Sequence, residues 1–152
     1  YAMVYDSGSD QKRGDYLIST DRTRLDLAMI HDYLCNRSYW AQRRSFETVR
    51  RSIEHSLCFG VFLGDQQVGF ARTVTDYATF AWLCDVFILE SHRGKGLGKQ
   101  LIQCVVDHPL LGELGIFILA TRDAHELYRS YGGFDGLQAS EKWMVRSPQR
   151  TT

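Results

Sequence analysis

What the chain lacks narrows it first. Lys plus Arg and Asp plus Glu balance at 18 each, so no overall field draws it to nucleic acid or to a membrane surface. No apolar run approaches the roughly 18 residues of a membrane span, and the first residues hold no apolar core of a signal peptide. The expected location is therefore cytoplasmic. No C-x-x-C pair occurs. Cys35, Cys58, Cys84 and Cys104 stand singly among apolar residues, which reads as buried reduced thiols. His31 with Cys35, and His55 with Cys58, could each share a helix face, but neither pair has a recognised ligand spacing and no metal site is expected. There is no internal repeat. The P-loop and dinucleotide patterns are also missing, because the one glycine-rich run has its glycines at 94, 96 and 98.

That glycine-rich run is the centre of what is there. Trp82 to Leu89 is apolar apart from Asp85 and reads as a buried strand. Arg93-Gly94-Lys95-Gly96-Leu97-Gly98-Lys99 follows, and then Leu97, Leu101, Cys104 and Val105 recur at i, i+4, i+7 and i+8, a helical face. Bases here crowd the start of a helix, where acids are favoured by about 0.3–1 kcal/mol. No Asp or Glu occurs from Ser91 to Val106. Each glycine inside the helix costs about 1 kcal/mol against alanine. A bound polyanion answers both anomalies, since free amides and the positive helix end converge at such a junction.

The remaining chain reads as one domain of ordinary composition, 44% apolar and 24% charged. Residues 1–14 are polar and expected to be a flexible segment; 15–146 form the domain and 147–152 a tail. Tyr16 to Ser19 reads as a strand, and Thr20 or Asp21 as the cap of a helix reaching Asn36. A second helix is expected over Ser45 to Ser56 with Phe46, Val49, Ile53 and Leu57 inward, and with Arg43, Arg44, Arg50 and Arg51 on a solvated face. Leu57 to Leu63 and Val68 to Thr75 read as a hairpin, followed by the long strand Phe80 to Leu89. A strand over Leu114 to Ala120 and a short helix over Asp123 to Tyr131 come next. One or two strands between Gly136 and Arg146 close the chain, with Trp143, Met144 and Val145 their firmest part. The order β-α-α-β-β-β-α-β-α-β(-β) predicts a mixed α/β sheet with some antiparallel neighbours.

The run Arg93-Gly94-Lys95-Gly96-Leu97-Gly98 resembles the R/Q-x-x-G-x-G/A signature of the GNAT superfamily of acyl-CoA N-acyltransferases. The element order over residues 15–146 is similar to that family's. Ala124-x-x-Leu127-Tyr128 before Gly133-Phe134 resembles its A-x-x-L-Y-x-x-x-G-F run, with one glycine more before Phe134 and with Thr121 where the family often has Asn. The resemblance implies that acetyl-CoA is the cofactor, that Arg93 to Lys99 hold its pyrophosphate, and that the backbone of Phe87, Ile88 and Leu89 meets pantetheine and the thioester. It implies Tyr128 as the acid that protonates the leaving thiolate, with His125 a weaker candidate. It also places Tyr33, Tyr39 and Trp40 on the acceptor side, with Tyr77 and His31 as further candidates.

An amine acceptor of pKa about 10.4 arrives protonated near neutral pH. Asp85, the acid inside the apolar strand, could be the base, directly or through water; the alternative is a structural carboxylate bonded to backbone or to Arg72 or Arg122. The function expected is transfer of an acetyl group to a primary amine of a small molecule, peptide or protein, with no nucleic-acid or membrane partner and with a homodimer left open. Two other readings stand beside it: a non-catalytic acyl-CoA-binding module, which needs neither Asp85 nor Tyr128, and a phosphate-binding protein unrelated to coenzyme A.

Overall fold

The computed structural model describes residues 8–147; the outer parts of the expected N-terminal segment and C-terminal tail lie outside them. Among these residues six strands form one sheet in chain order, β1 (Asp10–Arg13), β2 (Tyr16–Ser19), β3 (Leu57–Leu63), β4 (Gln66–Thr75), β5 (Phe80–Ile88) and β6 (Ile116–Leu119). Every neighbouring pair is antiparallel except β5 with β6, which run parallel. Helices α1 (Leu27–Asn36) and α2 (Phe46–Glu54) precede β3, α3 (Leu97–Val106) links β5 to β6, and α4 (His125–Gly132) follows β6. The mixed α/β single domain expected from the element order is the fold.

Both faces of the sheet are covered. One core joins Leu57, Phe59 and Val61 of β3 to Leu97, Leu101, Cys104 and Val105 of α3. The other joins Cys58, Phe70 and Phe87 to Ile30, Tyr33 and Leu34 of α1 and Val49 and Ile53 of α2. A strand buried on two sides has no polar face to alternate with, which is why Leu57 to Leu63 is apolar at every position. The helix starts follow side-chain caps. Asp26 accepts the Met29 amide at the start of α1, and Ser45 accepts that of Thr48 at the start of α2, each cap contributing about 1 kcal/mol.

Strand β5 carries the feature that shapes the rest. Arg72 pairs with Cys84 and Phe70 with Phe87, so Asp85 and Val86 together oppose the single residue Ala71. This is a β-bulge, and Asp85 sits in it at φ +53, a conformation that Asp and Asn adopt more readily than other side-chain-bearing residues. The extra residue exchanges the faces. Ala81 and Leu83 point to the α3 core, whereas Phe87, of the same parity, points to the α1 core. Pairing with β6 ends at Leu83↔Leu119, and β5 runs on to Ile88 paired with β4.

Four expectations are corrected. Residues 10–13, read as flexible, form β1, a polar edge strand that turns at Gly14 (φ +61); its polarity suits an edge. Asp21 caps a short 3-10 turn, Arg22–Arg24, and not α1. Phe46 is 44% exposed and meets only the edge of His31 among described rings. The closing strands are absent among the described residues. Ser140–Lys142 is a 3-10 turn entered through Ala139 at φ +51, and Trp143, Met144 and Val145 are 42%, 96% and 90% exposed. Strand propensity reflects fit to a half-buried pleated surface, and these side chains reach none.

Close approach of β4 to its neighbours depends on Gly69. A Cβ there would lie 2.6 Å from Ile88 Cδ1, 3.0 Å from Val61 Cγ2 and 3.1 Å from the Phe87 carbonyl oxygen. Gly69→Ala is expected to lower unfolding stability by about 1–3 kcal/mol; a denaturation midpoint equal to that of the parent would show that the strands can separate freely.

Candidate active site

Where β5 parts from β6 a cleft of about 590 Å³ opens, lined by Trp82 to Val86 on one side and by Ala120 to Ala124 with Tyr128 on the other. Tyr39, Trp40 and Arg44, from the connection between α1 and α2, form its outer wall. The structure therefore brings together four residues expected at the site from sequence: Asp85, Tyr128, Tyr39 and Trp40. Tyr33 is not among them. It is 5% exposed, stacks on Phe87 at 3.9 Å between centroids, and accepts a hydrogen bond from Arg93 Nη2 at 2.8 Å. Tyr77 is not there either. It occupies a left-handed position (φ +62) in the β4–β5 turn, at the far end of β5, and packs on the α3 core. His31 binds the Arg44 carbonyl oxygen at 3.0 Å, and His125, at the start of α4, lines a different groove, beside β6.

Asp85 is the most heavily bonded carboxylate of the cleft. Trp40 Nε1 donates to Oδ1 at 2.9 Å; Arg44 Nη1 and Arg72 Nε donate to Oδ2 at 2.7 and 2.8 Å. Arg72 also reaches Ser56 Oγ at 3.1 Å. Asp85 and Arg72 are buried, and Arg44 keeps 27% of its side chain exposed. Arg44 was expected on a solvated face of α2. It precedes the helix cap Ser45, and so it can turn inward where the helical face would not take it. Cutting one partner out of a buried ion pair costs about 3–5 kcal/mol. Asp85→Asn is expected to lose about 3 kcal/mol in urea denaturation; a variant of full stability would show that the arginine clamp carries no structural weight.

Tyr128 lies at the edge of the cleft, packed edge-on against Phe134 and with its hydroxyl bonded to no described residue. Burial, and then the neighbouring Tyr39 phenol, push its pKa up to about 12. Cys84 in the same cleft is pushed up to about 11, chiefly by burial. The additional glycine after Tyr128 is absorbed by the helix end. Gly132 stays in α4, where a Cβ would come within 2.7 Å of the Phe134 ring, and Gly133 takes a left-handed cap (φ +70) whose amide bonds the Tyr128 carbonyl.

Beyond the cleft β5 runs on toward the glycine loop. Gly94 and Gly96 have φ of +79 and +78, a region that glycine enters without strain. Gly96 is the N-cap of α3 and offers no side-chain hydrogen bond, so the first amides of the helix have no cap. Gly98 is in the helix itself, and a Cβ on it would meet nothing within 4 Å. Neither backbone conformation nor packing within the chain asks for glycine there. Arg93 is partly a strut, with Nε donating to the Ile88 carbonyl at 2.9 Å. Lys95 reaches the Tyr16 hydroxyl at 3.2 Å, and Lys99 lies over the Tyr131 ring. Leu97 is buried under the loop. The Leu89 amide donates to the Val68 carbonyl, and strand alternation turns Phe87 the same way and Ile88 the other. Of the three backbone positions expected to meet a thioester, Ile88 therefore faces away from β4. Trp82, Cys84, Val86 and Arg44 were not expected at the site from sequence, and Arg122, named only as a possible partner of Asp85, pairs with Asp123 instead; alternation along β5 could have supplied the first three.

The acetyltransferase (GNAT) family profile matches residues 26–134. The protein FG08082 of Gibberella zeae, whose acetyltransferase name is itself provisional, is 30% identical over 163 residues, spanning 90% of this chain and 92% of its own. Among solved structures, a Xanthomonas campestris pv. campestris protein assigned to the GNAT family, its acetyltransferase name also provisional, superposes with a TM-score of 0.85 at 46% identity, over 88% of this chain and 93% of that one. A Deinococcus radiodurans R1 protein at 20% identity shares the fold, with a TM-score of 0.68 over 91% and 93% of the two chains. With its loop, bulged strand and cleft in this arrangement, the chain belongs to the GNAT family of acetyltransferases.

Proposed function

We propose that the protein transfers an acetyl group from acetyl-CoA to a primary amine, by direct attack in the cleft between β5 and β6. The observation that carries this reading is the bare N-terminus of α3. Uncapped amides, Gly98 without a structural reason and three nearby cations make a cradle suited to a diphosphate. Acetyl-CoA would supply a thioester whose carbonyl carbon accepts the amine and whose sulfur leaves. Arg93, Lys95 and Lys99, with the amides after Gly96, would hold the diphosphate. Ile88, facing away from β4 beyond the last β5–β6 pair, has the backbone position suited to polarise the carbonyl.

In the transfer a carbon–nitrogen bond forms and the carbon–sulfur bond breaks. The surplus proton on nitrogen leaves to water, and the sulfur gains a proton. Asp85, with both oxygens engaged by donors, positions Trp40 and Arg44; the amine enters as its free-base fraction. Tyr128 donates a hydrogen bond to the leaving sulfur. A phenol at about 12 is a weak acid against a thiol of about 8.5 in water. Burial raises the Cys84 thiol in the same cleft, and the same desolvation would raise a thiol leaving there and narrow the gap. The balanced charges, the free thiols and the lack of a helix long enough to span a membrane among the described residues suit a cytoplasmic enzyme.

The direct test is thiol release from acetyl-CoA with a panel of amines, followed by mass detection of the acetylated product; coenzyme A bound without any amine turning over would favour the binding-module reading. Two variants refine it. Gly98→Ala is expected to raise unfolding stability by up to about 1 kcal/mol while weakening acetyl-CoA in calorimetry, and unchanged affinity would count against the cradle. Tyr128→Phe is expected to lower kcat about 10²-fold or more with little change in acetyl-CoA affinity. Because burial holds the phenol protonated, the parent's rate should show no falling limb from Tyr128 below about pH 11. A phenylalanine variant with the parent's rate would remove Tyr128 from the mechanism.

A further inference from the structure

The charges of the acceptor side are unevenly committed. Two carboxylates line the cleft. Asp85 is buried and bonded by Trp40, Arg44 and Arg72, and Asp123, 67% exposed, meets Arg122 at 3.4 Å. The buried one already carries two arginines. On the positive side Arg44 gives only Nη1 to Asp85, and no other described group accepts from its guanidinium. Counting Arg44, Arg72 and Arg122 against Asp85 and Asp123 leaves one cation uncompensated. Arg44 is also held in place, with its carbonyl bonded by His31 at 3.0 Å and Nη1 by Asp85 at 2.7 Å. A guanidinium already positioned loses little rotamer freedom when a planar anion docks on its remaining donors.

The walls around it are flat and apolar. Tyr39 and Trp40 meet edge to face at 5.0 Å, Arg122 lies 3.8 Å over the Tyr39 ring, and Trp82 faces them from β5. A cleft of about 590 Å³ is in the size range of small-molecule sites. We propose that it selects small amines that also carry a carboxylate, with Arg44 reading the carboxylate and the aromatic walls receiving the apolar part. A lysine-rich peptide would bring cations to a cleft whose buried carboxylate is already bonded by two arginines and whose net charge is positive. The inference deepens the transferase reading and relies on it only for turnover; the anion subsite stands or falls on binding.

The experiment uses matched pairs on the full chain in the presence of coenzyme A: phenylalanine against phenylalaninamide, methionine against methioninamide, and a short lysine-rich peptide. Binding is followed by tryptophan fluorescence and calorimetry, and thiol release is measured in parallel. Amides carry more free amine at a given pH, so turnover alone is biased against the carboxylates and equilibrium binding decides. The carboxylates are expected to bind about tenfold or more tightly than their amides, the scale of one hydrogen-bonded charge pair, and this ratio should fall toward one in Arg44→Gln. Amides or the peptide binding as well as the carboxylates overturns the proposal without any variant. So does absence of carboxylate binding, or a preference that survives in a folded Arg44→Gln protein. A carboxylate preference without turnover leaves the subsite standing and removes the transferase reading; turnover that favours amides and peptides, with no carboxylate preference in binding, does the reverse.

Discussion

The carboxylate of Asp85, held at φ +53 in the middle of a strand, is the constraint on which the rest of the site depends. Its backbone inserts the extra residue that turns Phe87 and Ile88 onto faces opposite to those a regular strand would give them. Its side chain gathers two arginines and an indole from two separate parts of the chain, the α1–α2 connection and β4. A regular β5 would have no reason to part from β6 where it does. Without the carboxylate, Arg72 would be a buried unpaired charge, and the connection carrying Tyr39, Trp40 and Arg44 would lose its anchor. One residue thus sets both the shape of the cleft and the wall that faces an incoming acceptor.

The parts of the fold governed by repeating burial were legible in the sequence, and the parts governed by single contacts were not. The run Leu57 to Leu63, the helical spacing of Leu97, Leu101, Cys104 and Val105, and the glycine loop each follow from periodicity or backbone freedom, and each has its expected place. Strand β1 was missed because an edge strand needs no apolar residues, so Asp10–Arg13 looks like any polar segment. Trp143, Met144 and Val145 erred the other way, having strand propensity but no surface to pack on. Tyr33 and Arg44 show the limit more sharply. Their residue types suited an aromatic wall and a solvated face, but their partners Phe87, Arg93 and Asp85 lie 41 to 60 positions away, and local pattern carries no information about such contacts.

The glycine loop and the arginine clamp answer different physical demands. In the loop, Gly98 forgoes helix stability that a methyl group would add, and nothing inside the chain benefits. Such an unexplained local loss is what a binding surface for a ligand's backbone-sized group looks like in the free protein. In the clamp nothing is left bare on the acidic side, and the bonds of Asp85 satisfy a carboxylate that burial would otherwise penalise. The start of α3 and Arg44 therefore both present donors that are not committed within the chain.

That arrangement bears on the proposed transfer to an amine. A protonated amine entering between Arg44 and Arg122 meets a surplus of positive charge and aromatic walls that hydrate it poorly. Both effects favour its neutral form, so the cleft itself shifts the acceptor toward the species that attacks. In the proposed transfer the same low polarity, which raises the Cys84 thiol, would disfavour a departing thiolate, and the unbonded Tyr128 hydroxyl would donate to it. An apolar cleft bordered by cations thus helps at the nitrogen and hinders at the sulfur. There Tyr128 would supply the help at the sulfur, and Asp85, tied to its arginines, holds the charged wall in place.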